Sequence, residues 1–175
     1  MTQEEVVNYI GMEDAYIARL EETNTDDMLD VEAVYIEATR VFKVHWVLYH
    51  LQGVLFEGYR ATKRYDAAVY YQRLRIEFAE RSCPFASYTL AWLHEELADC
   101  MANQLVENFW EVIDGDDPVV KDITNFEKKA MIRLYESATN LLLVNCGPQH
   151  DYTLSANWKM LMIRSLKTAD GSDEE

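Results

Sequence analysis

The sequence predicts an all-α fold of antiparallel helical hairpins, either closed into a bundle or stacked as repeats. Three observations carry this. Apolar residues recur at intervals of three and four along most of the chain, the spacing of one helix face. Breakers are few: three prolines and six glycines in 175 residues. Alternating Val/Ile/Thr runs bounded by turn residues, the signature of strands, are missing. At 49% hydrophobic and 12% aromatic, the chain has ample material for a core and is far from disordered composition. One helical domain over residues 1–167 is expected, followed by an acidic tail at 168–175.

The first helix is expected over residues 3–22, with Thr2 as cap and Glu5 completing a capping box. The cluster Thr23-Asn24-Thr25-Asp26-Asp27 ends it and caps a second helix over 28–40. A third, over 44–62, places Leu48, Leu51, Leu55 and Tyr59 on one stripe. A short turn at Lys63-Arg64 leads to a fourth over 65–81, with Ala68, Tyr71 and Phe78 inward. Ser82-Cys83-Pro84 breaks the chain. A fifth carries Leu90, Leu93, Leu97, Cys100 and Met101 and continues toward Trp110. Residues 113–118 read as a loop, because Gly115 stops one helix and Asp117-Pro118 opens another. The next helix bears Met131, Leu134, Tyr135, Ala138, Leu141 and Leu142. Gly147-Pro148 then reverses the chain, with Gly147 expected in a left-handed cap conformation. A final helix over 151–167 is expected to bury Leu154, Trp158, Leu161 and Met162 while Lys159, Arg164 and Lys167 stay in water. In this reading Trp158 packs against Leu134, Ala138 or Leu141.

Charge narrows the function classes. Sixteen basic against 31 acidic residues give −15, a balance that repels nucleic-acid phosphates and anionic lipid. Residues 40–81 are the exception: eight bases and four acids give +4, so the rest of the chain carries −19. The acidic opening Met1-Thr2-Gln3-Glu4-Glu5 lacks a signal-peptide pattern, and no stretch approaches the roughly 18 apolar residues of a membrane span. Cys83, Cys100 and Cys146 are odd in number and widely spaced, which fits reduced thiols in the cytoplasm or nucleus.

No catalytic, cofactor-binding or metal-binding set emerges. His45 and His50 lie roughly 140° apart around a helix and cannot chelate from one face. His94 with Glu95 and Glu96 lacks the second histidine of a metalloprotease helix. Cys83 sits at a helix start, where a thiolate is stabilised, but no base accompanies it. Trp46, Trp92, Trp110 and Trp158 read as packing residues. Arg60, Lys63, Arg64, Arg73 and Arg75 are the candidate partner-binding residues, suited to an acidic peptide, although several fall near a turn.

Two segments carry a resemblance. Arg64-Tyr65-Asp66-Ala67-Ala68-Val69-Tyr70-Tyr71 resembles the second helix of a tetratricopeptide repeat, whose small residue allows close helix approach. Tyr135-Glu136-Ser137-Ala138-Thr139-Asn140-Leu141-Leu142, followed by Cys146-Gly147-Pro148-Gln149-His150, resembles the C-terminal helical repeats of SET-and-MYND lysine methyltransferases. The resemblance covers about residues 44–165 and departs from the pattern in the long segment 106–122. Nothing corresponds to the Gly-x-Gly loop, Asn-His pair or zinc module of the catalytic part. It implies a tetratricopeptide-like superhelix or bundle, with hairpins at about 44–82 and 86–146 and a capping helix at 151–167. The implied function is a non-catalytic adaptor that binds a protein or peptide, without direct nucleic-acid or membrane contact. An alternative is an acidic nucleic-acid mimic that inhibits a DNA- or RNA-binding protein, built on Glu21, Glu22, Asp26, Asp27, Asp30, Glu32, Glu111, Asp114, Asp116 and Asp117.

Overall fold

The computed structural model describes residues 3–23, 27–82, 87–106, 109–110 and 123–168, with residues 3–6 described as backbone only. Among these residues there are seven helices and no strand, so the protein is all-α. The expected cap at Thr2, the Cys83-Pro84 break, the loop at 113–118 and the end of the acidic tail lie outside the described residues. The chain divides into two compact units, Met1–Phe78 and Ala79–Glu175.

The first unit holds α1 (Gln3–Glu22), α2 (Met28–Val41), α3 (Trp46–Ala61) and most of α4 (Tyr65–Ser82). Asp27 caps α2, its Oδ1 accepting the Leu29 N–H at 2.9 Å. Phe42 is extended and stops α2, burying its ring and stacking on His45 at 4.4 Å between centroids. His45 then caps α3, Nδ1 accepting the Val47 N–H at 3.2 Å, so α3 starts two residues later than its apolar periodicity alone implies. The His45 Nε2 lies 2.6 Å from Glu13 Oε1 and ties α1 to this corner. Leu48, Leu51, Leu55 and Tyr59 are buried as the spacing predicts, as are Ala68 and Tyr71 of α4; Phe78 is half-buried. Lys63 turns the chain between α3 and α4 with φ of 60°.

One glycine sets the spacing of α2 and α3. A Cβ on Gly58 would stand 2.0 Å from Met28 Sδ, so the methionine lies across the helix where a side chain is missing. Leucine or alanine there would push Met28 aside.

The second unit packs α5 (Tyr88–Leu105) against α6 (Asn125–Cys146) and α6 against α7 (Asp151–Ser165). α5 ends sooner than expected: Val106 is extended, and the Phe109 N–H donates to Asn103 Oδ1 at 3.1 Å. Thr124 and Glu127 form a reciprocal capping box at the start of α6. Alanines fill the contacts: Ala91, Ala98, Ala102, Ala138 and Ala156 are all fully buried, which lets helices approach closely around Met131, Tyr135, Leu142 and Ile163. Gly147 has the expected positive φ of 90°, but its ψ of 168° belongs to an extended mirror conformation rather than the left-handed helical one.

The last helix corrects the sequence reading. α7 buries Thr153, Ala156, Met160 and Ile163, whereas Leu154, Trp158 and Leu161 are 47%, 43% and 50% exposed. Trp158 meets Trp110, with centroids 5.7 Å apart, rather than inserting beneath α6. Two apolar stripes compete on this helix. The one centred on the small Ala156 wins because it lets α7 lie close on Leu142 and Ala91. Lys159, expected in water, is half-buried, its ammonium paired with Glu95 and Asp99.

Candidate functional site

A concavity in the first unit runs along α3. It encloses about 480 Å³ and is lined by Met28, Tyr49, His50, Gly53, Val54, Glu57, Gly58 and Arg75. The two glycines shape it differently: Gly53 leaves the helix surface low beside Arg75, whereas Gly58 is covered by Met28. A Cβ on Gly53 would rest 3.5 Å from Arg75 Nε. Helix-interior glycines cost stability relative to alanine, and the pair is a signal that the sequence reading passed over.

Arg75 gives the cleft its chemistry. Its guanidinium carbon sits 5.1 Å from the Tyr49 ring centre and 5.7 Å from that of Phe56, and Nη1 donates to Gln72 Oε1 at 2.8 Å. The two rings and Gln72 hold the guanidinium in place beside the cleft. At the rim, Glu57 is engaged by Arg60 Nη2 at 2.5 Å, with Arg60 also 5.2 Å from the Phe56 ring. A second, shallower hollow of about 190 Å³ lies beyond Met28, lined by Asp27, Met28, Leu29, Tyr59, Thr62 and Arg64. Arg64 covers the Tyr59 ring at 4.7 Å.

The five bases singled out from sequence therefore do not act as one cluster. Arg75 lines the larger cleft, Arg60 engages its rim, and Arg64 lines the neighbouring hollow. Lys63 occupies the turn, and Arg73 is exposed on another side of α4. Beneath these hollows the core is held by tyrosines. Tyr71 donates to Glu32 Oε1 at 2.9 Å and stacks on Tyr59 at 5.9 Å. Burial, with the Glu32 carboxylate alongside, pushes the Tyr59 phenol up to about 12 and that of Tyr71 higher still.

The densest charge cluster is elsewhere, in the second unit. Asp99 Oδ1 accepts from Trp110 Nε1 at 2.8 Å and from the Tyr135 hydroxyl at 2.6 Å. Its Oδ2 accepts from Lys159 Nζ at 2.7 Å, and the same ammonium reaches Glu95 Oε1 at 2.8 Å. Burial alone would depress the Lys159 ammonium, but Asp99 and Glu95 outweigh it and hold its pKa above the ordinary lysine value. Burial, reinforced by Asp99, also raises Tyr135. Asp99 thus accepts three hydrogen bonds, and the cluster joins α5, α6 and α7 as a polar lock. Sequence reading weighed Glu95 only beside His94 and Glu96, and passed over Asp99 and the spacing of four that pairs it with Glu95 on an otherwise apolar helix face.

Three of the four histidines serve the backbone and core, and the fourth, His50, lines the cleft. His150, like His45, caps a helix, its Nδ1 accepting the Tyr152 N–H at 3.3 Å. His94 is buried, and that burial lowers its pKa against the partial support of Glu80. Among the described residues no three His, Cys, Asp or Glu side chains are grouped to hold a metal, and no helix is long and apolar enough to cross a membrane. Cys100 is buried and Cys146 half-buried. Of the tryptophans, Trp46 is 44% exposed, and Trp92 and Trp110 are half-buried. Of the acids considered for a nucleic-acid mimic, Asp26, Glu111, Asp114, Asp116 and Asp117 lie outside the described residues; Asp27 serves as a cap and Glu32 as a tyrosine acceptor. No protein-family model matches the chain, and no curated protein sequence matches it.

Proposed function

We propose that this chain is a non-catalytic, tetratricopeptide-like adaptor module that holds a short acidic segment of another protein in the α3 cleft. The observation that carries the reading is the glycine-opened cleft with Arg75 braced against two aromatic rings at its edge. Its size suits one or two side chains, the scale of an anchor residue in peptide recognition. Apolar surface from Val54, Tyr49 and Met28 accepts an aliphatic anchor, and the positive charge of Arg75 beside it attracts a neighbouring carboxylate. The basic stretch 40–81 favours an acidic occupant electrostatically, although the chain as a whole is strongly acidic. Full burial of Ala68 and Ala138, the small residues of the two repeat-like segments, supports the hairpin reading.

Fluorescence anisotropy with a labelled peptide, Asp-Asp-Ala-Leu-Ala-Asp-Asp, tests this against the charge-reversed Lys-Lys-Ala-Leu-Ala-Lys-Lys. The acidic peptide is expected to bind in the micromolar range, weakening with salt, and Gly53→Trp is expected to abolish binding by filling the cleft. Equal binding of both peptides, or an unaffected Gly53→Trp variant, contradicts the proposal.

A further inference from the structure

We infer that the outward face of α7 is a self-association surface, on which a second copy of this chain packs antiparallel about a two-fold axis near Trp158. The outer side of a terminal helix is ordinarily polar. Here Leu154, Trp158 and Leu161 stand at spacings of four and three, and each is close to half exposed. Single exposed apolar residues need no explanation, but three aligned on one helix face form a seam. The same helix buries Thr153, Ala156, Met160 and Ile163 on nearly its opposite side. α7 is thus apolar on two faces, one packed within its own unit and one left half exposed by the described residues.

The pattern of this seam selects a second copy running antiparallel. The midpoint of Leu154 and Leu161 falls beside Trp158, and so does the midpoint of Asp151 and Arg164, the charged residues that flank the seam. Rotation by 180° about that point sets Leu154 against the second copy's Leu161 and Asp151 against the second copy's Arg164. Both charged positions are exposed, and Arg164 already pairs with the exposed Glu136 of its own chain, an arrangement that tolerates a further carboxylate. A parallel pair would instead place Asp151 on Asp151 and Arg164 on Arg164. The two-fold makes the contact isologous and closed, which yields a dimer rather than a filament.

The area sets the strength. Three half-exposed side chains contribute roughly 300 Å² of apolar surface per copy, less than the roughly 600 Å² per partner at the lower edge of specific interfaces. Each copy also carries −15. The dimer is therefore weak, and it tightens as salt screens the repulsion between copies.

Sedimentation velocity on the full chain between about 1 and 200 μM, a range spanning weak interfaces, reads this directly. The expected result is a concentration-dependent monomer–dimer equilibrium whose dissociation constant falls several-fold with added salt. Trp158→Glu is expected to hold the chain monomeric throughout, with an unchanged helical circular-dichroism spectrum because the position is half exposed. Leu161→Glu is the second such variant, should Trp158→Glu lose helix. Asp151→Arg and Arg164→Asp are each expected to weaken the dimer several-fold, and the two together to restore it, as only the antiparallel pairing allows. A wild-type chain that stays monomeric across the range overturns the inference. A dimer indifferent to both glutamate variants does so too, and failure of the double variant to restore dimerisation overturns the antiparallel two-fold.

Discussion

Replacing Lys159 with methionine isolates the polar lock of the second unit. The substitution keeps the length and apolar stem of the side chain and removes only the ammonium, which lies 2.8 Å from Glu95 and 2.7 Å from Asp99. The Glu95 side chain is 6% exposed, so it cannot turn to water, whereas Asp99 keeps partial access and its bonds from Trp110 and Tyr135. Breaking a buried pair from one side costs about 3–5 kcal/mol, because a charge is left without compensation. The partial exposure of Asp99 puts the expected loss near about 3 kcal/mol. For a chain of this size that corresponds to a fall in melting temperature of about 6–12 °C. The pH dependence follows from the raised pKa of Lys159. A raised value means the lysine's contribution is complete below its unfolded pKa of about 10.4 and is lost as pH rises through the folded value. The gap between wild type and variant should therefore be constant from pH 6 to 9 and close only in strongly alkaline solution. Thermal melts followed by circular dichroism at several pH values measure it. A melting temperature within a degree of wild type at pH 7 would show that water already satisfies Glu95, and the lock would be no lock.

Three further outcomes are expected. Raised phenol pKa values at Tyr59, Tyr71 and Tyr135 mean that the unfolded chain loses these protons first, so stability is intact below about pH 10 and falls above it; chemical denaturation at pH 9, 10 and 11 should show a progressive drop, and a flat profile would refute the burial of these hydroxyls. Gly147→Ala meets no neighbouring atom within 4 Å, so its cost is pure backbone strain at φ 90°, about 1–2 kcal/mol by urea titration, and a neutral substitution would mean the turn relaxes freely. Trp158→Ala should cost only about 1–2 kcal/mol rather than the 3–5 of a core tryptophan, since nearly half the side chain is exposed; a larger loss of denaturation midpoint would place it in the core after all.

The helices were legible because local periodicity and caps determine them. The expected spans over 3–22, 28–40 and 65–81 lie within a residue of the observed α1, α2 and α4. The α3 stripe from Leu48 to Tyr59 was equally plain. What local pattern cannot weigh is competition between faces. On α7 the larger side chains Leu154, Trp158 and Leu161 form as regular a stripe as Thr153, Ala156, Met160 and Ile163. The smaller set is buried because close approach to α6 requires Ala156 at the contact. The Lys159 lock is a tertiary fact of the same kind, since its partners lie about 60 residues away in sequence. In the candidate site, Arg75 was among the bases chosen from sequence, but the cleft beside it depends on Gly53, Gly58 and Met28. Those glycines carried a signal, as interruptions of a strong helical pattern, that charge patterning overshadowed.

The central claim is that the α3 cleft holds an acidic peptide segment, and amide chemical-shift mapping tests it most directly. Titrating Asp-Asp-Ala-Leu-Ala-Asp-Asp into nitrogen-15-labelled protein should move the backbone signals of Gly53, Val54 and Gly58 and the side-chain signal of Arg75 together, saturably, while those of α6 stay in place. Shifts absent from Gly53 and Gly58 at saturating peptide, or concentrated on residues remote from the cleft, would contradict it.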